Sequence, residues 1–411
     1  MTEYSNELFN FIEENLNKQP DKLLLAYSGK LTFDIKLAVS TIEGRKKMLK
    51  KLPEWANKKG LVFPNKLCTE QCSSYQTAKF KQRFFHGASV VIDLTGGIGV
   101  DAFYASQVAS KVIIVEKDPL LVKAIHHNFK LMDRTNVSIY NSETSKSTIT
   151  GILEKAFEES ENQNKSVIYI DPSRRGSTGD RIYSITDYEP NILEILDVVK
   201  QFTSSLLIKI SPMADITRTI NQLGGCSGVY VVSVYNECKE LLFFFDRSNI
   251  EFNSDNVPIE AWDYKKNGEW ESVNWTIKEE RETLIDYKKP LTGMYLYEPN
   301  TSIIKAGGFK IIAKEFNLSK VSINSHLYLS ENLESEFQGR TFQIIDIYNF
   351  DKKGVKKISE LYPKASVAVR NFSMTSDELR SRLKIEEGDE YFIFGTLLLD
   401  NLHKIIICKK A

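Results

Sequence analysis

Four short apolar runs in this sequence lead into acidic residues, and the first of these acids opens a glycine-rich turn. Val90-Val91-Ile92 leads into Asp93-Leu94-Thr95-Gly96-Gly97-Ile98-Gly99-Val100-Asp101. Glycines suit a turn where the backbone takes positive φ and passes close to a ligand. A helix starting just beyond offers free N–H groups to a polar or anionic part of that ligand. The dinucleotide fingerprint G-x-G-x-x-G is not met, because Gly97-Ile98-Gly99 runs into Val100, Asp101 and Ala102. A carboxylate at Asp93 suits a ligand that carries a cation, such as the ammonium of methionine, held directly or through water. A purely structural turn is the competing reading.

The other three strand ends supply context. Lys111–Val115 ends in Glu116-Lys117-Asp118, one helix length after the glycine turn. A carboxylate at such a tip accepts both hydroxyls of a ribose. Glu116 directly follows the apolar run and fits that role, whereas Asp118 can instead begin the next helix. Val137–Tyr140 leads to Asn141-Ser142-Glu143, which puts Glu143 where an adenine amine would need an acceptor; a surface loop also carries glutamates without function. Val167–Ile170 ends in Asp171-Pro172-Ser173-Arg174-Arg175. Pro172 fixes the backbone and turns the Asp171 carbonyl outward, toward a base amine. The Asp171 carboxylate can orient an amine or take its proton after transfer. The guanidinium forks of Arg174 and Arg175 suit nucleic-acid phosphate, or pair with Asp180 or Glu189. A plain strand-to-loop turn is the bland alternative.

The elements that must position these residues follow from hydrophobic periodicity. Residues 4–60 read as helices, with Leu8, Phe9, Phe11, Ile12 and Leu16 at helical spacing and Pro20 and Pro53 as punctuation. From 87 to 246 strands alternate with helices, which implies a parallel sheet covered on both faces. Gly228–Tyr235 and Leu241–Phe245 lie too close together for a helical crossover, so they form an antiparallel hairpin closing one edge. A Rossmann-like α/β sheet with an antiparallel edge hairpin is the class I methyltransferase arrangement, and with Asp93, Glu116 and Asp171 it points to S-adenosylmethionine. Trp262–Trp275 reads as β with a turn at Asn267-Gly268, and the remainder as a small α+β domain. The expected boundaries are 1–86 helical, 87–250 catalytic, 251–329 linker and ferredoxin-like, and 330–411 C-terminal α+β.

Composition narrows the setting. A 42% hydrophobic and 26% charged chain of 411 residues is that of an ordinary globular protein with more than one domain. Net charge is zero, but the first 86 residues hold more Lys and Arg than Asp and Glu, with Arg45-Lys46-Lys47 and Lys50-Lys51 clustered. That cluster reads as a solvated helix face or as a phosphate anchor. Five cysteines without a C-x-x-C pair predict reduced thiols and no metal site. With no apolar run of membrane length and no leader pattern, the expectation is a cytoplasmic protein without a membrane partner.

Taken together, Asp93–Asp101 and Asp171-Pro172-Ser173-Arg174-Arg175 resemble a family of bacterial class I methyltransferases that carry a C-terminal THUMP-like domain. Further resemblance lies in Glu70-Gln71-Cys72-Ser73-Ser74 with Thr77-Ala78, in Glu237–Leu241, in Tyr297-Glu298-Pro299-Asn300, in Lys305–Phe309 and in Val369–Phe372. The resemblance implies a helical N-terminal domain, a catalytic sheet, a small ferredoxin-like insertion and an RNA-associated THUMP-like tail. It also implies that Gln71, Ser73, Ser74 and Thr77 lie over the cofactor, although as residues they read as a helix cap. Lys305, Gly307 and Gly308 would form a turn near the substrate path, or an ordinary glycine turn.

Two departures limit the chemistry. Enzymes methylating base amines usually have an aromatic after Asp/Asn-Pro-Pro to stack on the flipped base; here Ser173 and Arg174 occupy those places, leaving Tyr183 or Tyr188 as stacking candidates. The fifth strand ends in Ser211, where carbon-methylating enzymes carry a cysteine nucleophile. The resulting expectation is direct methyl transfer to an RNA base nitrogen. The loop's likeness to some ribosomal-RNA guanine-N2 enzymes favours a purine amine, guanine N2 among them. A non-catalytic RNA-binding adaptor and a protein or small-molecule methyltransferase are the alternatives.

Overall fold

A computed structural model describes residues 4–160, 165–174, 185–203, 205–246 and 254–411. The chain divides into two compact units. Met1–Val229 with Lys239–Phe252 forms the first, and Tyr230–Cys238 with Asn253–Ala411 forms the second.

The first unit begins with helices at Asn6–Asn15, Pro20–Tyr27, Ile35–Lys51, Pro53–Asn57, Lys66–Gln71 and Tyr75–Phe85. Their starts are written locally: Ser5 accepts from the Leu8 N–H, Pro20 stands in the first turn, and Asp34 accepts from the Lys36 N–H. Leu8, Ile12, Leu23, Ala38, Val39 and Ile42 make their shared core. The basic cluster ties these helices together. Arg45 is buried against Glu13 and the Ala56 carbonyl, and Lys46 donates to the Lys18 carbonyl. Lys47 pairs with Glu70, and Lys51 donates to the carbonyls of Thr69 and Glu70. The contacts give this cluster a use that neither reading named, the stapling of one helix to the next.

The sheet follows. Its strands are β1 (Val90–Asp93), β2 (Lys111–Glu116), β3 (Val137–Asn141), β4 (Ser166–Ile170), the two-residue β5 (Ser173–Arg174) and β6 (Tyr188–Glu189), β7 (Ser205–Ile210), β8 (Gly228–Val234) and β9 (Glu237–Asp246). Strands run β7-β4-β1-β2-β3 in parallel, with β9 antiparallel to β7. β1, β2 and β4 are largely apolar because helices cover both faces of a parallel sheet, whereas β3 at its end is half-buried. The order reverses beside β1, whose chain continues to β2 on one side while β4 lies on the other. Ligands bind at such a switch point, outside the carboxyl ends of the strands. Asn128 is fully buried and ties the helical region to the sheet, accepting from the Val62 N–H and donating to its carbonyl.

The hairpin β8–β9 is present and turns on Tyr235 and Asn236, both at positive φ. It is not an edge, however. β10 (Pro258–Tyr264) and β11 (Trp270–Thr276) continue the strand order beyond β8, and their turn at Asn267-Gly268 is the one expected from sequence. The run from 251 that reads as a linker thus contains two paired strands of the second unit.

The rest of the second unit is a seven-stranded sheet. Its strands are β12 (Tyr295–Pro299), β13 (Ser319–Lys320), β14 (Tyr328–Ser330), β15 (Gly339–Asn349), β16 (Ser366–Arg370), β17 (Phe392–Leu397) and β18 (His403–Lys410), in the order β13-β14-β12-β15-β18-β17-β16. Ile405 and Ile407 face a core that includes Ile358, Leu379 and Leu383 from the helices Lys352–Leu361 and Ser376–Leu383. Ile406 and Cys408 point into a second core with Phe342, Leu296 and Leu329. This alternation explains why β18 is apolar at successive positions: both of its faces are buried. The run Val321–Leu329 is mostly turn, with His326 at φ +48°, and only its end belongs to β14. No helix among the described residues is long and apolar enough to cross a membrane.

Candidate functional site

The carboxyl ends of β1, β2, β3 and β4 open onto a cavity of about 340 Å³ that lies wholly in the first unit. Asp93, Thr95, Gly96, Gly97, Asp101, Glu116, Glu143, Asp171, Gln71 and Ser73 line it, so most of the sequence-predicted cofactor residues meet in one place. The size is within the range of pockets that hold nucleoside-sized ligands.

Each acid reaches the cavity for a local reason. Asp93 ends β1 and is 2% exposed. One of its oxygens accepts from the N–H of Thr95 at 3.0 Å and from its hydroxyl at 3.3 Å. Burial pushes its carboxyl up to about 8; the Thr95 hydrogen bonds oppose this, and nearby Asp101 and Asp171 add to it. A cationic partner would reverse that cost. Glu116 ends β2 and accepts from the Gly97 N–H at 2.7 Å and the Asp118 N–H at 2.8 Å. Burial raises its pKa, against those same backbone donors. Asp118 caps the helix Pro119–Leu131 through the Leu120 N–H, which leaves Glu116 as the strand-tip acid that clamps the loop. Glu143 lies 3.5 Å from Lys117 Nζ, and Lys117 also pairs with Glu189.

The glycine turn is shaped by close approach. A Cβ on Gly96 would stand 2.4 Å from Ile114 Cγ2, and Gly99 caps the helix Val100–Ala105 at φ +86°, with Phe129 only 2.9 Å from where its Cβ would be. Gly96→Ala is therefore expected to cost about 1–3 kcal/mol of stability, from overpacking against a strand that cannot retreat. Urea denaturation measures it, and a change below about 0.5 kcal/mol would contradict this account. Gly99 itself is not on the cavity wall.

Asp171 follows β4. Its N–H donates to Thr95 Oγ1 at 2.6 Å, which locks the ends of β1 and β4 together. Its carboxylate lies 2.6 Å from Lys209 Nζ on β7. Pro172 is buried behind it and does not line the cavity. Arg174 belongs to the short strand β5; Arg175, Asp180 and Tyr183 lie outside the described residues. Tyr188 is 4% exposed in β6.

Ser74 and Thr77 have a different place from the cofactor role expected of them. They form the capping box of the helix Tyr75–Phe85 and are absent from the cavity wall. Their neighbour Ser73 does reach it, donating to Asp101 Oδ2 at 2.8 Å. Asp101 also accepts from the Tyr169 hydroxyl at 2.9 Å. Its other oxygen is 3.2 Å from Lys81 Nζ, an ion pair without hydrogen-bond alignment. Lys81 is 0% exposed, takes a hydrogen-bond acceptor in Ser73 Oγ at 2.9 Å, and pairs with Glu240 of β9 at 2.8 Å. Burial raises Asp101, but Lys81 and Lys209 outweigh it and the net shift is downward. For Glu240 burial wins over the same two lysines and the shift is upward.

Lys81, Lys209, Tyr169 and Glu240 were not singled out as site residues in the sequence. The available signal was charge in an apolar setting: Lys81 falls on the buried face of its helix with Ala78, Phe84 and Phe85, and Lys209 interrupts the apolar strand Leu206–Ile210. In the second unit, Gly307 ends the helix Thr301–Ala306 at φ +79°, and the Glu280 carboxylate accepts from the N–H groups of Phe309, Lys310 and Ile311.

A parallel sheet with the β3-β2-β1-β4-β7 order, an antiparallel strand beyond it and acids at the strand ends defines the class I methyltransferase fold. Two family models match the second unit: a ferredoxin-like domain over residues 295–337 and a THUMP domain-like segment over 339–410. β12 of the first pairs with β15 of the second, so the two segments share one sheet. Among solved structures, a "putative methyltransferase" from Porphyromonas gingivalis W83 is similar over 100% of both chains, at 30% identity and a TM-score of 0.87. Two others match part of the chain. A methyltransferase-titled protein from Streptococcus mutans, in complex with SAH, has 12% identity over 42% of this chain and 95% of its own, at a TM-score of 0.29. An rRNA methylase from Streptococcus thermophilus has 12% identity over 42% and 94%, at the same score. No curated protein matches the sequence. The chain belongs to the family of the Porphyromonas gingivalis protein, bacterial class I methyltransferase-fold proteins with a C-terminal THUMP-like domain.

Proposed function

We propose that this protein is an S-adenosylmethionine-dependent methyltransferase that modifies a base nitrogen of RNA, a purine amine such as guanine N2. The observation that carries the reading is the convergence of Asp93, Glu116 and Asp171 on one cavity beside the glycine turn. The residues fit the cofactor. Asp93 is a buried carboxylate whose charge is costly without a cation, which suits the methionine ammonium. Glu116 lies at the strand tip where ribose hydroxyls need an acceptor. Gln71 and Ser73 flank the same space, and Glu143 stands where the adenine amine would need a partner. The bound cofactor supplies an electrophilic methyl group. The chain's own contribution is to hold it at the β1 and β2 ends and to bring the acceptor to Asp171. In the sequence, Arg174 and Arg175 are the residues whose guanidinium groups suit phosphate. The THUMP-like segment supports RNA as the acceptor.

Calorimetry with adenosylmethionine tests the cofactor reading. Glu116→Ala is expected to weaken binding by about ten- to a hundredfold, since it removes an acceptor for charged or polar ligand groups and unclamps the Gly97 N–H. Glu116→Gln, which keeps one acceptor, should lose less. Equal binding by all three proteins would remove Glu116 from the site, and no binding by the wild type would leave the adaptor reading in place. For the acceptor, methylated nucleosides are compared in RNA from a deletion strain and its parent. Loss of one methylated nucleoside is the expected result.

A further inference from the structure

A single hydroxyl joins the acid on the cofactor side of the cavity to the acid on the acceptor side. Leu94 donates its N–H to the Tyr169 carbonyl at 3.0 Å, a backbone rung between the ends of β1 and β4. Two residues past Tyr169, the Asp171 N–H donates to a side chain instead, the Thr95 hydroxyl oxygen, at 2.6 Å. That hydroxyl donates its own proton to Asp93 Oδ1 at 3.3 Å, and the Thr95 N–H reaches the same oxygen at 3.0 Å. Asp93, Thr95 and Asp171 all line the cavity. The Asp171 carboxylate is fixed separately, 2.6 Å from Lys209 Nζ. Thr95 therefore governs where the backbone of Asp171 stands, and Lys209 where its carboxylate points.

Hydrogen bonds in a chain polarise one another. A hydroxyl whose proton is drawn toward a negative oxygen becomes a better acceptor at its own oxygen. Thr95 stands in such a chain, with a backbone N–H on one side and a carboxyl that is 2% exposed on the other. In the ligand-free protein burial pushes that carboxyl up to about 8, so most of it is neutral near neutral pH. An ammonium beside Asp93 restores the charge. The charged oxygen draws harder on the Thr95 proton, and the bond from Asp171 tightens in turn. β-branching confines the Thr95 side chain to few rotamers, which keeps the hydroxyl in line.

We propose that Thr95 is a positioning residue that passes cofactor occupancy at Asp93 to the backbone of Asp171, so that the acceptor end of the site is set once the methionine ammonium is in place. This rests on the cavity being the adenosylmethionine site, and it favours loading of the cofactor before the acceptor. Linkage makes the coupling mutual: an acceptor that holds Asp171 in that position raises cofactor affinity by the same factor.

Two ligands separate this relay from simple covering of the site. Adenosylhomocysteine carries the amino-acid ammonium; methylthioadenosine has the same nucleoside and thioether without it. Each is added at saturation to the full chain, and hydrogen exchange is followed at the Asp171 amide. In wild type, adenosylhomocysteine is expected to slow that amide about two- to tenfold more than methylthioadenosine does. Thr95→Val keeps the shape but not the hydroxyl. Its Asp171 amide should exchange faster, and the two ligands should then act alike. Thr95→Ser should restore most of the difference, which a merely structural role of residue 95 does not predict. Equal slowing by the two ligands in wild type overturns the proposal, as does a difference that survives Thr95→Val. The wild-type comparison stands whether or not the valine variant folds. Failure of adenosylhomocysteine to bind overturns the cofactor reading and the relay with it, whereas binding without a response at Asp171 overturns the relay alone.

Discussion

Asp93→Asn is expected to lower adenosylmethionine affinity by about a hundredfold without destabilising the ligand-free protein at neutral pH. The asparagine carbonyl can still accept from the Thr95 N–H, so the loop keeps its local hydrogen bond. What disappears is the negative charge, and losing one partner of a buried, hydrogen-bonded ion pair costs about 2–5 kcal/mol of binding. The pH dependence has a definite sign. In the free protein burial holds the Asp93 carboxyl near 8, whereas beside an ammonium its value must fall. Binding therefore releases a proton below that pH, and affinity should rise with pH between 6 and 7.5, approaching tenfold per unit. The asparagine variant should lack this slope. Stability runs the other way. A carboxyl raised in the folded state gives its contribution fully below its unfolded value of about 3.9 and loses it as pH climbs toward 8. The ligand-free protein should thus lose Asp93's contribution over that window, and Asp93→Asn should not. Calorimetry in buffers of different ionisation enthalpy reads the released proton, and a zero proton count at pH 7 would sink the assignment.

Lys81→Met should destabilise the first unit by about 3–5 kcal/mol. The methionine fills the same volume but leaves Glu240, 1% exposed, and Asp101, 8% exposed, without their shared cation. Breaking a buried ion pair from one side is costly because the remaining charge has neither water nor partner. Replacing both ends is a different matter. Lys81→Met with Glu240→Gln should recover a large part of the loss, since only Asp101 remains charged and it keeps its hydrogen bonds from Ser73 and Tyr169. Urea midpoints of the two single variants and the double variant decide this. Additive losses would mean that the three side chains are not coupled.

The parts of this fold that were legible in the sequence are those governed by short-range pattern. Alternating strands and helices, the Asn267-Gly268 turn and the acids after β1, β2 and β4 come from local periodicity and turn chemistry. The parts that were not legible depend on distant partners. Nothing near Trp262–Trp275 says that β10 pairs with β8, because an intervening strand and loop separate the two in the chain. The helix Lys352–Leu361 carries four lysines on a short segment with few apolar residues, so its buried positions, Gly354 and Ile358, are too sparse to read as a periodic face. The site divides in the same way. Asp93 and Glu116 are marked by their positions at strand ends. Ser74 and Thr77 follow their local role as a helix cap, and only the next residue back, Ser73, reaches the cavity. Lys209 is visible as an oddity in an apolar strand, but its partner Asp171 lies just past the end of a different strand, 38 residues away.

The hairpin of β8 and β9 sets an order of events during synthesis. Residues up to Val229 emerge with five parallel strands and the buried lysine of the helix Tyr75–Phe85, but without the strand that flanks β7. The carboxylate of Glu240 is made 159 residues after Lys81. At roughly 5–20 residues per second that is a wait of about 8 to 30 seconds. Through that interval the nascent chain must keep an ammonium hydrated that the finished protein seals from water. The first unit therefore cannot close as its own amino-terminal segment appears. A fragment ending at Val229 would hold every strand-end acid of the cavity and still lack the charge that lets its centre dehydrate.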